Sequence, residues 1–323
     1  MGLLKVIASL RAIGPARCWP LALLAPLAFS VCAQSVDSRD RPVEYFEYES
    51  YTELEPLAER LNYTQESWMA GVREVPRTYL TNVPPRWRDS VAGEVSVTAK
   101  KRMFFRIGAP LVLRSNELIL RDRERAEAGR GELGSNPEFD DWIAALAQRY
   151  GVASEANDVL TDADYDELLT RLDIVPVSLA LAQAAEESGW GTSRFAAEGN
   201  ALFGQWSWEA DAIRPLEQRE GLGNYGIAAF ETPLESVRAY MQNLNTHAAY
   251  ARLRDRRAEM RRAGETISGW ELANTLDRYS ERGTAYVDTL HAIMRVNRLR
   301  DADAAYLGDG PTIYLVPVGE GAE

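Results

Sequence analysis

One carboxylate in this chain stands where a carboxyl can be kept protonated near neutral pH. Ile174 to Trp208 reads IVPVSLALAQAAEESGWGTSRFAAEGNALFGQWSW. The Ala- and Leu-rich run after Pro176 has strong helix propensity, and Leu179, Ala182, Gln183 and Glu186 recur at helical spacing. The helix is expected to end near Ser188–Gly189, where Gly189 and Gly191 give the backbone freedom to turn away sharply. Glu187 then falls in the last turn, where the negative end of the helix dipole disfavours another negative charge and raises the pKa. A carboxyl protonated near pH 7 can give its proton to a leaving oxygen. Glu186 lies about 100° around the helix from Glu187, so only one of the two can face a groove. Trp190, Phe195, Phe203, Trp206 and Trp208 crowd into the same stretch, and aromatic faces beside carboxyls suit the holding of sugar rings.

These residues carry a resemblance. The run Ala182–Gly191 (AQAAEESGWG), followed by Ser193-Arg194-Phe195 and by Asn200–Trp206 (NALFGQW), closely resembles the catalytic segment of the Bax-like proteins. Those belong with the peptidoglycan glucosaminidases related to flagellar-type and autolysin hydrolases. The likeness continues in Ser236–Tyr240 and Asn243–Tyr250, returns at Tyr279–Gly283 and Tyr286-Val287, and spans roughly 139–299. It implies a mainly α fold, a lysozyme-like helical body with a small β-hairpin lobe facing the catalytic glutamate across a groove. By match to the motif that glutamate is Glu187, with Glu186 turned to solvent or a neighbouring Arg. Tyr250 matches a tyrosine placed near the reacting bond, where a phenol can position a water or an acetamido group, although it suits a core junction equally well. Phe203, Gln205 and Trp206 are the candidate sugar contacts, with Phe203 and Trp206 also suited to filling a core. Trp190 reads as a packing anchor and Asn200 as a structural turn residue.

Hydrolysis of a β-1,4 glycosidic bond needs a proton for the leaving oxygen and a base or nucleophile on the other face. The carboxyls stand ~6.5–9.5 Å apart for inversion and ~5–5.5 Å apart for retention. In a third route the substrate's own N-acetyl group attacks and one protein acid suffices. The resemblance places a second acid on the lobe, where the candidates are Glu220 and Glu217; this segment differs in length from its relatives. The resemblance implies an endo-β-N-acetylglucosaminidase acting on the GlcNAc-β-1,4-MurNAc link of peptidoglycan strands. A muramidase or lytic transglycosylase, which also uses a helix-end Glu-Ser pair, and a non-catalytic glycan-binding protein are the alternatives.

Composition excludes several other classes. His247 and His291 are the only histidines, and no HExxH, Gly-x-Ser-x-Gly or phosphate-loop pattern occurs. Zinc hydrolysis, a serine triad and nucleotide chemistry therefore lack their residues, and no metal or cofactor is expected. A net charge of −12 repels nucleic acid and anionic surfaces. The only cysteines are Cys18 and Cys32, which leaves no disulfide framework. Lys5, Arg11 and Arg17 precede an apolar run ending Val31-Cys32-Ala33, the pattern of a signal peptide over 1–33 and hence of an exported, periplasmic or envelope protein. A retained anchor is the competing reading, but a run interrupted by Pro20 and Pro26 is short beside the ~20 residues of a bilayer span.

The elements that must hold the site can be read in outline. An irregular and helical extension (34–129) mixes short elements with a helical pattern from Val97 to Gly129, in which Gly108 and Pro110 predict a break or kink. Gly129–Asn136 (GRGELGSN) reads as a hinge into a domain spanning 130–300. There, helices are expected over Pro137–Tyr150, from a Thr161 cap to Leu172, from Pro176 to Ser188, from Thr232-Pro233 to Asn245, over Trp270–Tyr279 and over Thr284–Asn297. Between Gly204 and Phe230 the helical signal fails, and Tyr225, Ile227 and Ala229 around Gly221–Asn224 suggest a hairpin or flap. An acidic tail (301–323) carries no motif.

Overall fold

The computed structural model describes residues 41–153, 160–218 and 223–319; the expected leader and Glu220 lie outside them. The chain opens with strand β1 (Val43–Tyr48), helices α1 (Leu54–Arg60) and α2 (Gln65–Met69), and strands β2 (Glu74–Val75) and β3 (Thr78–Leu80). A short α3 (Ala92–Glu94) leads into the long α4 (Val97–Gly129), followed by α5 (Pro137–Arg149), α6 (Asp162–Arg171), α7 (Val177–Ser188) and α8 (Arg194–Gly199). Strands β4 (Trp206–Ser207) and β5 (Gly226–Ile227) precede α9 (Pro233–Thr246), α10 (Ala251–Arg262), α11 (Gly269–Ala273) and α12 (Thr284–Val296). Strands β6 (Tyr306–Leu307) and β7 (Thr312–Pro317) close the described chain. The architecture is mainly α with small sheets.

Helix starts follow local chemistry. Asn136, Thr161 and Thr232 each accept a backbone N–H of the first turn, and Thr161 forms a reciprocal capping box with Asp164. Helix α11 stops well short of the expected Tyr279. The Asn274 amide donates to the carbonyls of Trp270 and Glu271, and the Thr275 hydroxyl to that of Leu272, so side chains take over bonds that a continuing helix would need.

Helix α7 is central. Ten of its twelve residues are buried, as expected for a helix apolar on nearly every side, and α4, α11, α12 and a 3-10 turn over Leu299–Ala304 pack around it. Small residues let these neighbours close in. A Cβ on Gly108 of α4 would lie 2.9 Å from Leu181 Cδ2, and one on Gly269 of α11 would lie 2.2 Å from Ser178 Oγ. The start of α7 is held by Asp303, whose carboxylate accepts from the backbone N–H and hydroxyl of Ser178 and from the N–H of Gly269.

Helix α4 runs unbroken for 33 residues, or about 50 Å. The break expected at Gly108–Pro110 does not form, because Ala109–Asn116 is the stretch buried in the core, where packing outweighs the hydrogen bond that proline removes. The Gly129–Asn136 stretch, expected as a hinge, is a compact turn with a 3-10 segment at Arg130–Glu132. The Phe139 ring fills the space beside Gly129, 2.2 Å from where a Cβ would stand. Phe139, Ile143, Leu146, Tyr165, Leu168 and Ala126 form a satellite core joining α5 and α6 to the end of α4.

The tail supplies the middle strand of a three-stranded parallel sheet ordered β1-β7-β3. Tyr314 of β7 is in register with both Tyr45 and Tyr79, and its ring stacks on Tyr45 with centroids 5.5 Å apart. Beneath the sheet, Arg77 donates to Glu117 of α4 at 2.6 and 2.9 Å, and Arg114 also pairs with Glu117. The main apolar core runs from Tyr48 through α4, α7 and α9 to Leu315. Residues from 34–129, 130–300 and 301–323 thus share it. Among the described residues no helix is long and apolar enough to cross a membrane.

Candidate active site

Helix α7 ends as a chain of three left-handed residues, Gly189, Trp190 and Gly191, with φ of 58°, 65° and 77°. A non-glycine residue there carries strain, and its surroundings compensate. The Trp190 ring meets Phe104 and Phe105 of α4 edge-on at 5.7 and 5.3 Å, Lys101 lies over it, and its carbonyl accepts from Trp87 Nε1. Trp190 is the packing anchor the sequence suggested. The buried Ser188 hydroxyl donates to the Ala184 carbonyl and accepts from the Gly191 N–H, stapling the turn.

This turn leaves Glu187 half-buried, facing α12. The Tyr286 hydroxyl donates to Glu187 Oε1 at 2.7 Å. Burial, the chief cause, pushes the Glu187 carboxyl up to about 7; the Tyr286 hydrogen bond opposes it, the negative Glu186 adds to it, and Arg282 opposes it. The direction agrees with the sequence reading, but the main physical source is desolvation by tertiary packing. Glu186 points elsewhere and pairs with Arg282 Nη1 at 2.5 Å, the neighbouring Arg that was expected.

Behind Glu187 lies a buried polar chain. Gln183, one turn earlier on α7, donates from Nε2 to the Tyr286 oxygen at 3.0 Å and accepts at Oε1 from the Tyr240 hydroxyl of α9 at 2.6 Å. All three side chains are at most 1% exposed. Tyr240 stacks on Phe203 at 3.8 Å, so the Phe203 ring, 3% exposed, packs into the core.

Rings continue along the other side. Tyr286 stacks on Tyr279 at 5.3 Å, and Tyr279 lies 5.7 Å from Tyr250, which in turn is 5.7 Å from His247. Burial raises the Tyr250 hydroxyl, a hydrogen bond with Asn243 opposes it, and the nearby Glu187 adds to the rise. The phenol is therefore neutral and close enough to sense the carboxylate. His247 caps the turn leading to Tyr250, its Nδ1 accepting from the Ala249 N–H.

The segment after Gly204 forms the expected hairpin lobe. β4 and β5 pair antiparallel, Trp206 opposite Ile227, with a further bridge from Ile213 to Ile227. The lobe is pinned at its root, where a Cβ on Gly199 would lie 2.5 Å from Ile213 Cδ1 and the Phe230 N–H donates to the Gly199 carbonyl. Asn200 bonds the carbonyls of Phe230 and Glu231 and the N–H of Val83, and is structural as expected. Trp206 stacks on Tyr225 at 4.6 Å while staying partly open, and Trp208 beside it is 62% exposed. Gln205 pairs through its carbonyl with the Ala228 N–H, and its side-chain Oε1 is buried with no hydrogen-bond partner. Glu217 is exposed, and Glu220 falls outside the described residues. Among the described residues, no three His, Cys, Asp or Glu side chains are grouped to hold a metal ion.

The sequence reading missed Tyr286 as the partner of Glu187, and Gln183 and Tyr240 behind it. Only Gln183 left a local signal, a polar residue four positions before the glutamate on an otherwise apolar buried helix.

The fold is a mainly helical body with a small hairpin lobe and a half-buried glutamate in the last turn of its central helix. Residues 162–299 match the Glucosaminidase family, described as mannosyl-glycoprotein endo-beta-N-acetylglucosaminidase. The chain is also 31% identical to "Protein bax" of Escherichia coli (strain K12) over 203 residues, covering 63% of this chain and 72% of that protein. The chain belongs to this Bax-like, glucosaminidase-domain family. No solved structure matches it.

Proposed function

We propose that this protein is an exported peptidoglycan hydrolase, an endo-β-N-acetylglucosaminidase that cuts the GlcNAc-β-1,4-MurNAc link with Glu187 as general acid. The observation that carries this reading is the Glu187 carboxyl, half-buried at the helix end and pushed up to about 7 within a segment matching a glucosaminidase family. At neutral pH such a group is protonated in a large fraction of molecules, and it can protonate the leaving oxygen as the glycosidic bond breaks. The Tyr286 hydrogen bond to Oε1 then stabilises the carboxylate that remains.

On the other face, water is activated by Glu217 or Glu220 of the lobe, or the substrate's acetamido group attacks, with Tyr250 placed to orient either. Trp206 offers an aromatic face to a sugar ring, backed by the Tyr225 ring stacked on it at 4.6 Å, while Phe203 packs in the core behind. The leader over 1–33 delivers the protein to the periplasm or envelope, where peptidoglycan strands are its partner.

The test is mass spectrometry of fragments released from purified peptidoglycan by the protein and by its Glu187→Gln variant. A reducing GlcNAc end from the parent alone supports the reading. A reducing MurNAc end would assign a muramidase and an anhydro-MurNAc end a transglycosylase, and retained binding with no release by either protein would point to a glycan-binding role.

A further inference from the structure

We propose that Gln183 and Tyr240 are positioning residues for Glu187, forming with Tyr286 a one-directional hydrogen-bond chain that commits the Tyr286 proton to the carboxyl. The catalytic consequence rests on Glu187 acting as the acid; the hydrogen-bond chain itself stands on geometry.

Tyr286 has one hydroxyl proton and two polar neighbours, Glu187 Oε1 at 2.7 Å and the Gln183 amide at 3.0 Å. If the amide presents its oxygen, it competes with Glu187 for that proton. If it presents its NH2 group, Tyr286 must accept there, and its proton is left for Glu187. Tyr240 decides between the two. Its hydroxyl is buried, with the Gln183 oxygen 2.6 Å away as acceptor, and a buried hydroxyl donor left unmade is costly. Donation from Tyr240 holds the amide oxygen towards α9 and turns the NH2 group towards Tyr286. The ring stacks lock the outer members, Tyr240 on Phe203 at 3.8 Å and Tyr286 on Tyr279 at 5.3 Å. A partly satisfied polar network would destabilise the core, whereas this one has its members paired in a single sense.

Two consequences follow for the acid. Oε1 is occupied by the Tyr286 donor, so the transferable proton resides on the other oxygen, Oε2. The donated hydrogen bond also favours the ionised form, moderating the rise caused by burial. The charged and titratable groups facing Glu187 are Glu186 on its own helix, Arg282 and Tyr286, with Tyr240, Tyr250 and Tyr279 also within electrostatic reach. Gln183 is uncharged throughout, so any effect of changing it on Glu187 titration must pass through Tyr286 or through packing.

The experiment separates those routes. Full-length protein labelled with 13C at glutamate side-chain carboxyls is titrated by NMR, with the Glu187 signal assigned by its absence in Glu187→Gln. Tyr240→Phe keeps the stacked ring and Gln183→Met keeps the side-chain length, so each removes the hydrogen bond while preserving volume. Tyr286→Phe is expected to raise the Glu187 titration midpoint by about one pH unit, the scale of a hydrogen bond to a charged group. Tyr240→Phe and Gln183→Met should raise it in the same direction by less. Each combined with Tyr286→Phe should titrate like Tyr286→Phe alone. A parental midpoint in both Tyr240→Phe and Gln183→Met, or shifts that add to that of Tyr286→Phe, would overturn the chain. Raised midpoints in a protein that releases nothing from peptidoglycan would uphold the chain and overturn the catalytic reading. In an active enzyme the alkaline limb of kcat/KM must move upward with the midpoint.

Discussion

A carboxyl held protonated by burial lowers stability once it must ionise, and Glu187→Gln should expose that cost. Its pKa is raised from 4.5 to about 7. Between those values the folded protein keeps a proton that the unfolded chain has released, so stability falls as pH rises through that window. Each unit corresponds to about 1.4 kcal/mol, which makes the whole shift about 3 kcal/mol at most. Glutamine resembles the protonated acid in size and stays neutral. The two proteins should therefore match near pH 4 and diverge by about 2–3 kcal/mol in favour of the variant at pH 8. Asp122 and Asp303 are also raised by burial, but they are present in both proteins and cancel in the difference. Urea unfolding at pH 4, 6 and 8 measures it. A stability difference that stays constant across this range would refute the claim that Glu187 is desolvated in the folded protein. Greater stability of the Gln variant is also what a residue kept for function at a cost in stability predicts.

Three further outcomes are expected. Arg282→Ala removes a cation that opposes the rise of Glu187 and leaves Glu186 unpaired, so the alkaline limb of the pH–rate profile should move upward; a downward shift would contradict the arrangement of charges. Gly269→Ala sets a Cβ 2.2 Å from Ser178 Oγ and 2.7 Å from the Leu179 nitrogen. Asp303 already holds Ser178, so thermal unfolding should register a loss of about 1–3 kcal/mol or more. Glu117, which burial alone would raise, is held down at about 2 by Arg77 and Arg114. Glu117→Gln removes the carboxylate shared by these two cations and, with Glu117 partly exposed and Arg77 still bonded to the Gly308 carbonyl, should cost about 1–3 kcal/mol in chemical denaturation near neutral pH. In the parent, the contribution of this three-residue cluster is present above the unfolded carboxylate value and fades as pH falls towards 2.

Much of the site was legible in local pattern. The start of α7 after Pro176, its end at Ser188 and the left-handed residues at Gly189 and Asn200 each depend on residues within a few positions of one another. Capping, helix propensity and left-handed glycines act over that range, so the sequence alone determined a helix that delivers Glu187 to a sharp turn. Where local signals met long-range packing, packing won. Pro110 lies inside a continuous α4 because its neighbours are buried against other helices, and the tail, without a motif of its own, becomes the central strand between β1 and β3. The environment of the carboxyl was likewise a tertiary decision. Helix position gave the sign of the Glu187 shift, but its main source is desolvation by tertiary burial against α12, tuned by Tyr286 and by Arg282, which also draws Glu186 aside. Those partners stand about a hundred positions away along the chain, and no spacing rule links them. A hydrogen bond between distant residues exists only after the core has formed, since the same burial that brings the groups together also removes the water that would otherwise satisfy them.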